Sequence, residues 1–178
     1  MSIRDICFIG LFAALLAILA PMSVPLAGGV PITLATFMVT LSGTVLGAKR
    51  GAVAVGIYML LGFVGLPVFS GFRGGIGIAF GPTGGFLLSY PIMAAIAGLG
   101  AGTRRLHWLA ISLAAACAVN LTAGMLMWAV VTGNSIHNAF FAVFLPFVPI
   151  EAAKMAAIFV LNPAISKILE IHNLINAP

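Results

Sequence analysis

The 178-residue chain is 62% hydrophobic and only 6% charged, with eight Lys+Arg, three Asp+Glu and 21 Gly. A water-facing surface needs roughly a quarter of its residues charged, so a soluble single core does not fit and lipid must be the solvent. The net charge of +5 comes from scattered cations that form no stripe able to track a phosphate backbone, which argues against nucleic acid and leaves one integral membrane domain, residues 1–178.

About 20 apolar residues cross a hydrocarbon layer of about 30 Å. Counting between charges and Gly/Pro clusters predicts an all-α bundle of six transmembrane helices near residues 5–24, 32–48, 51–66, 84–102, 106–131 and 147–168, the third of them short. The first span, following Arg4, also resembles a secretory signal. Cleavage after Ala20 would set Pro21 beside the scissile bond and Ile18 where a small residue is required, so a retained helix is expected. This helix carries Gly10, Ala13, Ala14 and Ala17. Gly10 with Ala14, and Ala13 with Ala17, are small-xxx-small pairs that let another helix approach closely, either a docking partner or a neighbour within the bundle.

The connector over residues 21–31, with Pro25, Gly28, Gly29 and Pro31, carries no charge and leads into Thr33; it reads as a binding loop or as a plain turn. Residues 67–85 are dense in glycine and resist continuous helix, so their backbone must fold against protein or line a wet cavity, either as a lid or as a tight connector. No Gly-Lys-Ser/Thr follows those glycines, which removes a phosphate cradle. Arg73 lies within this stretch, placed to hold a carboxylate or to meet lipid head groups. Around it fall Phe69, Phe72, Phe80, Phe86 and Tyr90, which could stack on a flat ring or belong to an interfacial belt. Asn120, inside the fifth span, needs a hydrogen-bond partner from a ligand or a neighbouring helix. A polar turn at residues 132–138 precedes the sixth span.

Near the start of that last span, Glu151 and Lys154 are three residues apart and therefore share a helix face. They sit roughly 5 to 10 Å below the outer surface at 1.5 Å per residue, where lipid exposure is costly. An acceptor-only carboxylate beside a donor-only ammonium suits a ligand that presents both N–H groups and a carbonyl oxygen. A self-satisfied ion pair with Lys154 snorkelling outward is the alternative.

Orientation follows the cations. With the N-terminus inside, Arg4, Lys49, Arg50, Arg104, Arg105 and Lys167 all fall on the cytoplasmic side, six of the eight, and both termini are cytoplasmic. Cys7 and Cys117 sit within apolar runs as fillers, and with histidines only at 107, 137 and 172 there is no metal-ligand spacing. The absence of nucleophile and metal motifs disfavours catalysis, so an intramembrane enzyme and a ligand-free scaffold are carried only as rivals to a binding subunit.

The stretches Val30-Pro31-Ile32-Thr33-Leu34-Ala35-Thr36-Phe37, Gly43-Thr44-Val45-Leu46-Gly47-Ala48-Lys49-Arg50-Gly51-Ala52, Gly65-Leu66-Pro67-Val68-Phe69 and Gly81-Pro82-Thr83-Gly84-Gly85 together resemble the BioY family, the biotin-specific substrate-binding subunits of energy-coupling factor (ECF) transporters. The Pro149-x-Glu151-x-x-Lys154 element is similar to the family's acidic-x-x-Lys pair, in which Asp is common at the first place; family members often carry Gln where this chain has Ala35. The resemblance implies a six-helix, non-enzymatic protein without cofactor in the bacterial cytoplasmic membrane. It would capture biotin from outside and work with a transmembrane coupling subunit (EcfT/BioN type) and ATPase subunits (BioM/EcfA type). Small residues on the first helix, around Ala13 and Ala17, would meet the coupling subunit. Glu151 and Lys154 would serve the ureido ring, aromatics would flank it, and groups near Thr33, Arg73 and Thr83 would meet the tail carboxylate. The alternative is a sibling subunit for thiamine or riboflavin.

Overall fold

The structure is a computed structural model that describes residues 2–25, 29–103 and 105–171; Gly28, Arg104 and His172 fall outside the described residues. Helix α1 (Ile3–Leu19) starts at a capping box: the Ser2 hydroxyl accepts from the Asp5 N–H, and the Asp5 carboxylate accepts from the Ser2 N–H. The same carboxylate pairs with Arg50 at 3.2 Å. That ion pair fixes the start of α1 against the start of α3 (Ala48–Phe63).

Between them lies α2 (Ala35–Leu46), which joins α3 through Gly47. Gly47 sits at φ 85°, a left-handed conformation that side-chain-bearing residues adopt at a cost, so the two helices turn on a single residue. One turn earlier, Gly43 brings the α2 backbone directly onto the Ala94 carbonyl of α4 (Gly84–Gly102), where a Cβ would meet unyielding backbone. Helix α4 is the centre of the bundle: it packs on α2, α3 and α5 (Leu106–Thr132), and 61% of its apolar window is buried, against 22% for that of α7 (Phe147–Ile171).

Among the described residues, three helical stretches are long and apolar enough to cross a membrane, Gly84–Gly102, Leu106–Thr132 and Phe147–Ile165. Helices α1, α2 and α3 are shorter, at 17, 12 and 16 residues.

Local structure departs from the sequence expectation in three places. The stretch expected to open the second span instead forms a two-stranded antiparallel ribbon, β1 (Ser23–Val24) with β2 (Ile32–Thr33), so the chain is mostly rather than wholly helical. Helix α3 stops at Phe63 because Gly65 adopts φ 114°. The expected polar turn after α5 is capped by left-handed Gly133 and then coils again, as α6 (Ile136–Ala139), started by Ser135, and a π-helical turn (Phe140–Phe144) that delivers the chain to α7.

The glycine-rich connector between α3 and α4 contains a single 3-10 helix (Ile76–Phe80) and a tight reversal in which Phe69 and Arg73 bridge. It lies over the same end of the bundle as the ribbon, tied to the first connector by the Gly71 N–H donating to the Pro21 carbonyl at 3.0 Å.

Candidate functional site

Beneath the two connectors the helices leave a cavity of about 650 Å³ of empty space, counting the part that opens to solvent. Thr33, Phe69, Arg73, Thr83, Phe86, Tyr90, Asn120 and Glu151 all border it, gathered from β2, the α3–α4 connector, α4, α5 and α7.

Glu151 is 3% exposed and its two oxygens have different fates. Oε1 accepts from the Thr36 hydroxyl at 2.9 Å and from the Lys154 ammonium at 2.7 Å. Oε2 is buried with no partner. The ammonium of Lys154 donates also to the Thr33 carbonyl at 2.8 Å and to the Thr36 hydroxyl oxygen at 2.9 Å, so each of its three hydrogens has an acceptor within the protein. Lys154 therefore does not snorkel; it holds one carboxylate oxygen while the other is presented bare. A buried carboxylate oxygen without a donor is costly, and the arrangement persists where something else supplies the donor.

The remaining wall is mostly aromatic and apolar. Phe86 lies over Gly124 of α5, where any Cβ would strike its ring, and its centroid is 6.2 Å from that of Phe147. Phe69 packs edge-on against Tyr58, with centroids 5.6 Å apart at 84°, and rests on Gly62. Asn120 turns its amide N–H groups to the Phe86 carbonyl at 3.0 Å and the Ser89 hydroxyl at 2.8 Å, which fastens α5 to α4 at the cavity edge. Thr33 accepts from the Ala35 N–H at 3.2 Å through its hydroxyl. Thr83 precedes α4 without a side-chain cap bond.

Not every expected residue reaches the cavity. Phe72 and Phe80 are 68% and 72% exposed and point away from it. The small residues of α1 lie on two faces: Ala13 is 2% exposed inside the bundle and Ala17 is half-buried, whereas Gly10 and Ala14 face outward together. Of the two small-xxx-small pairs, Gly10/Ala14 is the exposed one.

Residues 1–171 match the BioY family along almost the whole chain. The chain belongs to the BioY family. The biotin transporter BioY2 of Lactococcus lactis subsp. cremoris is 36% identical over 97% of the chain and 95% of its own length. The probable biotin transporter BioY of Pyrococcus horikoshii is 47% identical over 59% of the chain and 64% of its own length. The fold superposes with a TM-score of 0.86 and 22% identity on the crystal structure of the S-component for biotin from an ECF-type ABC transporter, covering 94% of this chain and 95% of that one. This is a transporter family rather than an enzyme family, and its multi-pass helical character agrees with the apolar helices.

Within this BioY-family chain, sequence reading passed over several residues that border the cavity, Thr36, Tyr58, Ser70 and Phe147 among them. Tyr58 left a signal, since a phenol inside an apolar helix needs a polar neighbour or a ligand. Thr36 left none, because its partner Glu151 lies 115 residues away in sequence.

Proposed function

We propose that the protein captures biotin from the outer face of a bacterial cytoplasmic membrane, as the substrate-specific subunit of an ECF transporter. The carrying observation is the unpartnered Oε2 of Glu151 in a roofed, largely apolar cavity. Biotin offers two ureido N–H donors, a ureido carbonyl, an apolar sulfur ring and a carboxylated tail. Oε2 accepts from a ureido N–H. Thr36 and Lys154 hold the carboxylate at the angle that requires. The hydroxyl of Tyr58, bordering the same cavity, donates to the ureido carbonyl. Phe69, Phe86 and Tyr90 flank the ring, Asn120 stiffens the wall, and Arg73 with Thr83 and the Thr33 segment receives the tail at the mouth.

In this reading the six longer helices are the spans, both termini are cytoplasmic, and the ribbon and glycine-rich connector roof the site on the outside. Binding of labelled biotin to the purified chain, with thiamine and riboflavin as competitors, tests the assignment. Absence of saturable biotin binding, or displacement by thiamine or riboflavin at lower concentration than by unlabelled biotin, would overturn it. Thr36→Val, which keeps shape but removes a donor from Oε1, is expected to weaken biotin about ten-fold, the worth of a hydrogen bond to a charged group.

A transmembrane coupling subunit (EcfT/BioN type) with its ATPase subunits (BioM/EcfA type) completes the transporter, meeting α1 at Gly10 and Ala14. A Cβ built on Gly10 meets nothing within 4 Å, so bulk there is tolerated by this subunit alone. Gly10→Leu combined with Ala14→Leu is therefore expected to leave biotin affinity unchanged while cutting ATP-driven uptake by at least about ten-fold, since a close helix approach is lost. Unaltered uptake would move the docking face elsewhere.

A further inference from the structure

Between α5 and α7 the bundle has another hollow, open to its side. The two helices part there around a groove of about 1140 Å³ of empty space, counting the part that opens to the surroundings. Every side chain bordering it is apolar apart from the Cys117 thiol. Ala110, Ala114 and Ala118 line it from α5, Ala152 and Ala156 from α7; all five are exposed, and none has the bulk to close the gap. The groove runs from Ala110 to Leu121 on one helix and from Val148 to Val160 on the other, roughly 17 Å at 1.5 Å per residue. That is about the hydrocarbon depth of one leaflet, half of about 30 Å.

Charge gathers at one end. Residues 133–146, which join the two helices at the far end, carry no Lys, Arg, Asp or Glu. At the near end Arg105 is the N-cap residue of α5, and Lys167 lies about two turns beyond Val160 on α7; both are exposed. Around these helix ends the sequence sets Arg104, Arg105 and Lys167 against Glu170, a net positive balance. The cations thus stand one to two turns past the groove, at the level where phosphates lie beyond the hydrocarbon. An apolar slot one leaflet deep with cations at its mouth fits an acyl chain that ends in a negatively charged headgroup.

We propose that the α5–α7 groove holds an acyl chain of an anionic phospholipid, with its phosphate at Arg105 and Lys167. In the proposed orientation this lipid belongs to the cytoplasmic leaflet. The inference needs the chain to lie in a bilayer and is independent of which vitamin it binds. Leu121 borders both the groove and the ligand cavity, so the acyl chain ends one side chain from the site and fills space beside the turn of α7 that carries Glu151 and Lys154.

Native mass spectrometry of the full chain in detergent, titrated with phosphatidylglycerol or with phosphatidylcholine of identical chains, tests this. Phosphatidylglycerol is expected to bind at least about ten-fold more tightly, since each cation near a headgroup contributes about five-fold. Arg105→Gln with Lys167→Gln is expected to bring the two lipids within about two-fold of each other. Ala118→Phe with Ala156→Phe, which fills the groove, is expected to abolish the tight phosphatidylglycerol site. Both alanines are exposed, so the bundle tolerates the added rings; should that pair fail to fold, Ala118→Leu carries the same comparison. Equal binding of the two lipids by the wild-type chain, or an undiminished preference in the filled-groove variant, would overturn the proposal. So would competition by glycerol phosphate at the same concentration as the whole lipid, which would leave the cations to a free anion. A wild-type dimer that the filled-groove variant splits would give this face to a second copy of the chain and overturn it as well.

Discussion

Glu151→Gln is expected to lower biotin affinity by at least about a hundred-fold without unfolding the protein, because a charge-assisted acceptor becomes a donor facing donors. The glutamine amide has two ways to sit and both fail. With its oxygen kept toward Thr36 and Lys154, the NH₂ group replaces Oε2 and confronts the ureido N–H groups. Turned over, the NH₂ group confronts the Lys154 ammonium and the Thr36 hydroxyl, which already donate to that side. Shape and volume hardly change, so cavity and bundle remain. Equilibrium binding of labelled biotin, read beside the thermal unfolding midpoint in the same detergent, separates the two quantities. Near-native affinity in Glu151→Gln would remove the physical basis of the site.

Lys154→Met carries the second large effect, and here stability leads. The ammonium is the only cation within reach of Glu151 among the described residues, and three internal acceptors depend on it. Removing it leaves a buried carboxylate uncompensated, a loss of about 3 to 5 kcal/mol when one member of a buried pair is deleted. The double variant Glu151→Gln/Lys154→Met removes the orphaned charge as well. It is expected to recover most of the lost thermal stability but none of the binding. A Lys154→Met protein as stable as wild type would mean that the carboxylate does not need the ammonium. Recovery of binding in the double variant would mean that Oε2 is not the ligand's acceptor.

That Glu151 and Lys154 would be sheltered from lipid together was legible in the sequence, because charges are so scarce in the chain that two of them on one face of an apolar helix need a partner or a cavity. What each one does was not readable. The division of labour depends on Thr33 and Thr36, which reach α7 only through the tertiary packing of α2. The same distinction runs through the rest of the fold. Apolar runs and cation positions indicate where helices lie, but strands of two residues are too short to leave a periodic signature, and the β1–β2 ribbon could not be foreseen.

Helix α1 shows why faces are harder than spans. Lipid is as apolar as a protein interior, so no hydrophobic stripe distinguishes the outward Gly10 and Ala14 from the inward Ala13. Aromatics mislead for a related reason: Phe69 and Phe72 are neighbours in one connector, yet backbone reversal, invisible in composition, sends one into the cavity and the other to the exterior. Ser70 left no signal, because a serine in a glycine-rich loop is ordinary; only the burial of its hydroxyl without a partner sets it apart.

The central claim is that the bare oxygen of Glu151 receives a ureido N–H of biotin. An experimental structure of the biotin-bound protein measures this directly. The account predicts a ureido nitrogen about 2.8 to 3.0 Å from Oε2, the separation of a charge-assisted hydrogen bond, with Lys154 still engaged by Oε1, Thr33 and Thr36. A bound biotin whose ureido ring lies away from Glu151, with Oε2 turned to another protein group, would contradict it.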